Sequence, residues 1–223
     1  MQWRKMILVS CVLLLFVPFI SVTWAVEEQA LVAIDAGHGG GDGGAVAADG
    51  TLESSLNLKI AQKLEGILCF AGCPTVMIRT GEESLADGDA DTVHQQKVSD
   101  LKNRVALIQE SGSDVLISIH QNSLPGHPNV HGAQTFYNTA AGAGDLAAAV
   151  QYELNRSINP SNEKICKPIG DDIYLMKKVD CPAILVECGF MSNPSEVRLL
   201  QSEGYQKQLA ATIAAAYLNY VNK

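Results

Sequence analysis

The sequence has no surplus of basic charge, no internal repeat, no linker or low-complexity tract, and no cysteine spacing of the zinc-finger kind. Each absence removes a class of function. With 24 acidic against 16 basic side chains and a formal net charge of −8, the chain has no bulk electrostatic hold on nucleic acid or on an anionic membrane. Without repeats it is neither a solenoid nor a catalytic unit fused to a wall-binding array. The glycine-rich run from Gly37 to Gly44 lacks the lysine and the Ser/Thr of a phosphate-binding loop, and it fails the dinucleotide order as well. It reads instead as a flexible segment that lets backbone come close to a metal and a substrate. Of the six cysteines, Cys11 lies in the N-terminal segment. That leaves Cys69, Cys73, Cys166, Cys181 and Cys188, an odd number that cannot all pair within one chain. A Cys69–Cys73 disulfide would require a tight turn, and Cys181 and Cys188 flank a single strand and cannot join each other.

What is present begins with an export segment. Arg4 and Lys5 precede an apolar run from Met6 to Ile20, and Thr23-Trp24-Ala25 offers small residues where a signal peptidase reads them. Residues 1–25 are therefore expected to be a signal peptide cleaved after Ala25 or, since Met6 to Val26 nearly suffices to span a bilayer, an N-terminal anchor. Only a retained segment would give membrane contact. Either way the remaining 26–223 form a single domain of ordinary size beyond the cytoplasmic membrane.

Apolar periodicity within that domain alternates between strand and helix. Leu31 to Gly37, Thr75 to Ile78, Asp114 to His120, Gly132 to Tyr137, Ile173 to Met176 and Pro182 to Glu187 read as strands. Helices are expected over Ser54–Phe70, Val98–Gln109, Asp145–Ile158, Ser195–Gln201 and Tyr205–Val221, with a long surface loop from Arg79 to Gln96. About six strands too apolar to bear water on either side imply an α/β three-layer sandwich, a mostly parallel sheet with helices on both faces.

In such sheets reactive groups gather beyond the carboxyl ends of the strands. His38 follows the first strand, His120 ends the third and Glu187 ends the last, while Glu53 joins them from the first turn of the helix after the glycine-rich loop. Two imidazoles and a carboxylate are a donor set for catalytic zinc. A second carboxylate beside the metal would move the proton in a hydrolysis; spacing alone does not say which carboxylate takes which role. Glu53 also suits a helix N-terminus by charge alone. A structural reading of Glu187 is harder, because a carboxylate after Ala-Ile-Leu-Val is costly if buried without a partner. Asp35 is a candidate to orient a ligand imidazole or to make purely structural hydrogen bonds. Arg79 and Arg104 either pair beneath the active face or fork onto a substrate carboxylate. His94 and His127 read as surface residues, and His131 stands at the wrong end of its strand for a ligand.

Four segments in order carry a specific resemblance: Ile34-Asp-Ala-Gly-His-Gly-Gly40, Glu53 followed by Leu56-Asn-Leu58, Ile117-Ser-Ile-His-Gln-Asn-Ser123, and Leu185-Val-Glu-Cys-Gly-Phe-Met-Ser-Asn193. Over essentially the whole of the chain from Leu31 onward it resembles the zinc-dependent N-acetylmuramoyl-L-alanine amidases. The resemblance implies that His38, Glu53 and His120 bind one Zn2+ and that Glu187 is the catalytic carboxylate. It also implies hydrolysis of the amide between the lactyl group of N-acetylmuramic acid and L-alanine in peptidoglycan. The chain departs at Ala36, where family members usually carry proline. Gly132 to Asn138, the Arg79–Gln96 loop and Gly170 to Leu175 look most like the sporulation amidases, which prepare spore cortex for conversion to muramic-lactam. That likeness implies a substrate of glycan strand with stem peptide, in the cell wall or the forespore intermembrane space; an activating or targeting protein partner is expected because the sequence shows no targeting domain to bring the enzyme to its wall. A vegetative autolysin, a cell-separation amidase or a catalytically silent peptidoglycan-binding protein are the alternatives.

Overall fold

The computed structural model describes residues 29–88, 90–170 and 173–222. The expected export segment, residues 1–25, lies outside them. A six-stranded sheet runs in the order β2-β1-β3-β6-β4-β5. Its strands are β1 (Val32–Ala36), β2 (Thr75–Met77), β3 (Val115–Asn122), β4 (Gln134–Tyr137), β5 (Lys167–Pro168) and β6 (Ala183–Phe190). β2, β1, β3 and β6 are mutually parallel, β4 is antiparallel to β6, and β5 is parallel to β4. The helices are α1 (Glu53–Phe70), α2 (Val93–Ser111), α3 (Ala143–Ser157), α4 (Tyr174–Lys178), α5 (Pro194–Gln201) and α6 (Glu203–Val221).

The period-two alternation of the strands explains the two helical layers. Val32, Ile34, Ala36, Val115, Ile117, Ile119, Ile184, Val186 and Cys188 face a core shared with α1, α3, α5 and α6. Ala33, Leu116, Ala183 and Leu185 face a smaller core completed by Val105 and Ile108 of α2 and Leu175 and Met176 of α4. Each fully buried Ile or Leu contributes about 1.5–3 kcal/mol relative to exposure. The same alternation puts Asp35, Ser118, His120 and Glu187 on the α2/α4 face, and there the site is built.

Three expected elements differ. Helix α2 starts at Val93 rather than Val98, because Thr92 and Gln95 form a reciprocal capping box that apolar spacing does not register. Ile173–Met176 is not a strand: α4 occupies this stretch, burying Leu175 and Met176 and ending in Lys177 and Lys178, where cations suit a helix C-terminus. Four apolar residues cannot distinguish a strand from one helical turn. The missing strand is instead β5, a two-residue edge pairing inside what reads as a loop, and its Pro168 is tolerated because an edge needs no second row of donors. All five cysteines among the described residues are free, so no Cys69–Cys73 disulfide forms.

Candidate metal centre

The site lies at the carboxyl edge of β1, β3 and β6. His120 and Glu187 are direct cross-strand partners, and a register shift follows immediately between His120 and Asn122, a bulge of the kind that redirects side chains at a sheet edge. Glu53 is the first residue of α1, and the loop before it folds back so that Glu53 N bonds Ala45 O and Ser54 N bonds Gly43 O. The carboxylate thereby reaches over the sheet edge. Its Oε1 stands 3.0 Å from His120 Nδ1 and 3.3 Å from His38 Nε2. Gln121 N and Asn57 Nδ2 donate to the same oxygen, and Ala45 N donates to Oε2 at 2.8 Å. The two imidazoles meet edge to face with ring centroids 5.0 Å apart.

Two nitrogens and a carboxylate thus converge, with donor atoms of His38, Glu53 and His120 all within 4.8 Å of one another. This set is positioned to coordinate a single metal ion. Its mixed nitrogen and oxygen character fits zinc and not the all-oxygen octahedron of magnesium. His38 Nδ1 is engaged by Asp42 Oδ2 at 2.9 Å, which leaves Nε2 for the metal side. A carboxylate behind a ligand imidazole fixes its tautomer and orientation.

Close backbone approach is a requirement here. A Cβ on Gly37 would collide with the His120 ring, and one on Gly44 would meet the Glu53 carboxylate and the His38 ring. His38 itself has φ 63°, the only positive value at a non-glycine among the described residues, a strained conformation that the surroundings must hold. Two buried guanidiniums do so. Arg79 donates to the carbonyls of Ala36, Gly37, Ser54 and Gly81, and Arg104 to those of Ala36 and His38. Ala36, which stands where the family usually has proline, is therefore gripped through its carbonyl oxygen by both. Arg104 also pairs with Asp35 and Asp100, each at 2.6 Å. Arg104 makes the ion pairs expected beneath the active face, whereas Arg79 is spent on backbone carbonyls, with no ion pair among the described residues.

The carboxylates differ sharply. Burial would raise the Glu53 pKa, but the hydrogen bonds and charges of His120 and His38 outweigh it and hold the group well below the usual carboxylate range. Burial would likewise lower His38, yet the Glu53 bond and charge, with Asp42 behind, raise it. For Glu187 burial prevails, with Glu53 repulsion in support and His120 opposing, and the pKa rises to about 7. Its Oε2 is buried and has no hydrogen-bond partner among the described residues. Both carboxylates line a cavity of about 380 Å³ with His38, His120, Asp42, Lys97, Ile173 and the α4 residues Tyr174 and Leu175.

All four expected site residues come together. Asp35 does not orient an imidazole; its oxygens go to Arg104 and Ser118, and Asp42 takes the role expected of it. Asn57 and Gln121 were not read as site residues, although Asn57, four positions after Glu53, lies on the same helical face and joins Gly37 O to Glu53 Oε1. His94, His127 and His131 are exposed, outside the cluster.

Comparison with known proteins agrees with this geometry. Residues 32–219 match the family described as N-acetylmuramoyl-L-alanine amidase. The germination-specific N-acetylmuramoyl-L-alanine amidase of Bacillus subtilis (strain 168) is 36% identical over 191 residues, 85% of this chain and 79% of that one. The CwlD amidase of Clostridioides difficile, solved in complex with the GerS lipoprotein, aligns with a TM-score of 0.83 at 36% identity, covering 87% of this chain and 99% of that one. An N-acetylmuramoyl-L-alanine amidase from Clostridium difficile 630 aligns at 0.76 and 31% identity, over 87% and 98%.

Proposed function

The chain belongs to the N-acetylmuramoyl-L-alanine amidase family, and from that premise we propose that it cuts stem peptides from glycan during spore-wall maturation, with Glu187 as the catalytic carboxylate. The reaction is hydrolysis of the amide joining the lactyl group of N-acetylmuramic acid to L-alanine. The observation that carries the assignment of Glu187 is its unpartnered buried oxygen, on a residue that lines one cavity with His38, Glu53 and His120 and pairs with His120 across the sheet, together with a pKa raised by burial to about 7. A carboxylate with a pKa near the operating pH can both take a proton and return it.

His38, Glu53 and His120 would hold the metal. When bound, zinc supplies Lewis-acid chemistry, polarising the amide carbonyl and acidifying water. The chain's own residues do the rest. Glu53 stays anionic across the working range because its hydrogen bonds favour the charged form. Asp42 keeps the His38 ring in one orientation. Glu187 accepts a proton from the attacking water through its free Oε2 and delivers it to the alanine nitrogen as the C–N bond breaks. A lactyl carboxylic acid and a free peptide amine result.

The sporulation role is supported by the germination-specific relative and by likeness to the CwlD amidase; stripping stem peptides there would leave muramic acid ready to become muramic-lactam. By the same likeness a protein partner, such as the lipoprotein bound to CwlD, would target or activate the enzyme. Residues 1–25 serve export in this reading and 26–223 form the catalytic domain, acting outside the cytoplasmic membrane.

Purified zinc-loaded protein incubated with peptide-bearing glycan should release peptides beginning with L-alanine, identified by mass spectrometry. Release of any other fragment would refute the bond assignment. Spores of a strain lacking the gene should contain no muramic-lactam, and a normal cortex in such spores would move the protein to the vegetative wall.

A further inference from the structure

The cleft is rich in carboxylates, and the stem peptide it must admit is acidic. Asp42, Glu53 and Glu187 line it along with Asp35 and Asp100, on a chain of net charge −8. Asp35 and Asp100 are paired with Arg104 and Glu53 belongs to the metal cluster, which leaves Asp42 and Glu187 as the carboxylates that an acidic substrate would meet. Two cations line the same cavity among the described residues, Lys97 and Arg104. Both belong to the face of α2 that also carries Asp100 and Leu101, at the i, i+3, i+4, i+7 spacing of a single helical stripe.

Their states differ. The Arg104 side chain is 2% exposed and its nitrogens are committed to Asp35, Asp100 and the carbonyls of Ala36 and His38. Lys97 stands two helical turns earlier, at the rim, with its side chain 54% exposed. Among the described residues it pairs with Asp42 Oδ2 at 3.4 Å, an oxygen already held by His38 Nδ1 at 2.9 Å. An ammonium has three donors, so Lys97, which lines the cleft, keeps donors to spare beside Asp42, the partner of a metal-site histidine.

We propose that Lys97 is the carboxylate receptor of this cleft, selecting stem peptides whose second residue bears a free carboxylate over those in which that group is amidated. This rests on the amidase reading above. Consecutive Cα atoms lie about 3.8 Å apart, so a carboxylate on the residue after the scissile alanine lies roughly 5–7 Å from the cut bond. Lys97 Nζ is tied to His38 through two contacts, 3.4 Å to Asp42 Oδ2 and 2.9 Å from there to Nδ1, a separation of the same order. A lysine suits the task because its mobile point charge can leave Asp42 for an incoming carboxylate.

The test uses two soluble muramoyl-peptides that differ only in carboxylate or carboxamide on the second residue, with product identified by mass spectrometry and zinc content measured for each variant. The zinc-loaded wild type should favour the carboxylate in kcat/KM by roughly tenfold or more, as one charge-assisted hydrogen bond supplies. Lys97→Ala should bring that ratio near one, Lys97→Arg should keep it, and Lys97→Glu should invert it. A wild type without preference, or a preference that survives in Lys97→Ala, overturns the proposal while leaving the amidase intact. Equal losses on both substrates with reduced zinc content would show Lys97 acting only through Asp42 on His38, and also overturn it. A wild type that releases no alanine-terminated peptide from either substrate fails the amidase reading itself, and the receptor role falls with it.

Discussion

Glu53 and Glu187 enter one cleft from different elements, the first turn of α1 and the end of β6, and their surroundings drive their proton affinities apart. Glu53 receives N–H groups from Ala45, Gln121 and Asn57 and faces two imidazoles. Every partner it has favours its charged form. Glu187 lies beside His120 in the sheet with one buried oxygen unpartnered, and the apolar strand around it favours the neutral form. A single residue type is thereby divided into a permanent anion suited to a metal and a proton carrier suited to a reaction. Burial opposes the charge of both, and hydrogen-bond supply makes the difference: the donors around Glu53 outweigh its burial, and the buried oxygen of Glu187 has none among the described residues.

The largest effects should come from exchanging these environments' charges. Glu187→Gln is expected to lower kcat by about 10²–10⁴-fold, the usual weight of a general acid–base, with zinc content unchanged. Glu53→Gln should instead lose bound zinc, and activity as a consequence. Metal analysis beside turnover measurements separates the two, and zinc loss in the Glu187 variant with retention in the Glu53 variant would exchange their roles.

Next in size are changes one layer behind. Asp42→Asn should weaken zinc binding by about 10–100-fold, as loss of a carboxylate behind a ligand histidine generally does, measured by competition with a chelator. A normal affinity would mean that Asp42 serves the loop and not His38.

A third, pH-dependent effect concerns the zinc-free protein. Because the folded Glu187 pKa is raised from 4.5 to about 7, the folded state binds more protons than the unfolded one, so this residue's contribution to stability falls as pH rises through that window. Glu187→Gln should match wild type below about pH 4.5 and become the more stable of the two as pH rises to about 7, read from denaturant midpoints. A constant difference across this range would remove burial as the cause. Smallest of all, Ser118→Ala deletes one bond to Asp35, whose other partner Arg104 remains. It should cost about 1 kcal/mol in thermal unfolding while leaving zinc affinity alone.

Much of this was legible from residues in order. The strand leading to His38 and those carrying His120 and Glu187 announce themselves as apolar runs, and the glycines between Gly37 and Gly44 mark a close approach that the His120 and Glu53 side chains do require. The supporting groups were less legible. Asp35 looked like the partner of an imidazole because it is near His38 in sequence, but its two oxygens are taken by Arg104 and Ser118. Asp42 sits in a loop with no periodicity to read. Helix α4 and strand β5 were misread because elements of two to five residues are defined by what they pack against.

The sequence by itself determined the alternation of strands and helices, the sheet edge at which chemistry gathers, and the residue types offered there. These follow from local periodicity and turn chemistry, which act over a few neighbouring residues. Only the tertiary structure decided which carboxylate is saturated with donors and which is left with a free oxygen, and that Arg79 and Arg104 hold a strained His38 through carbonyls up to 68 positions away in the chain. Hydrogen-bond supply at a buried atom depends on every element that packs around it, and no local pattern carries that sum.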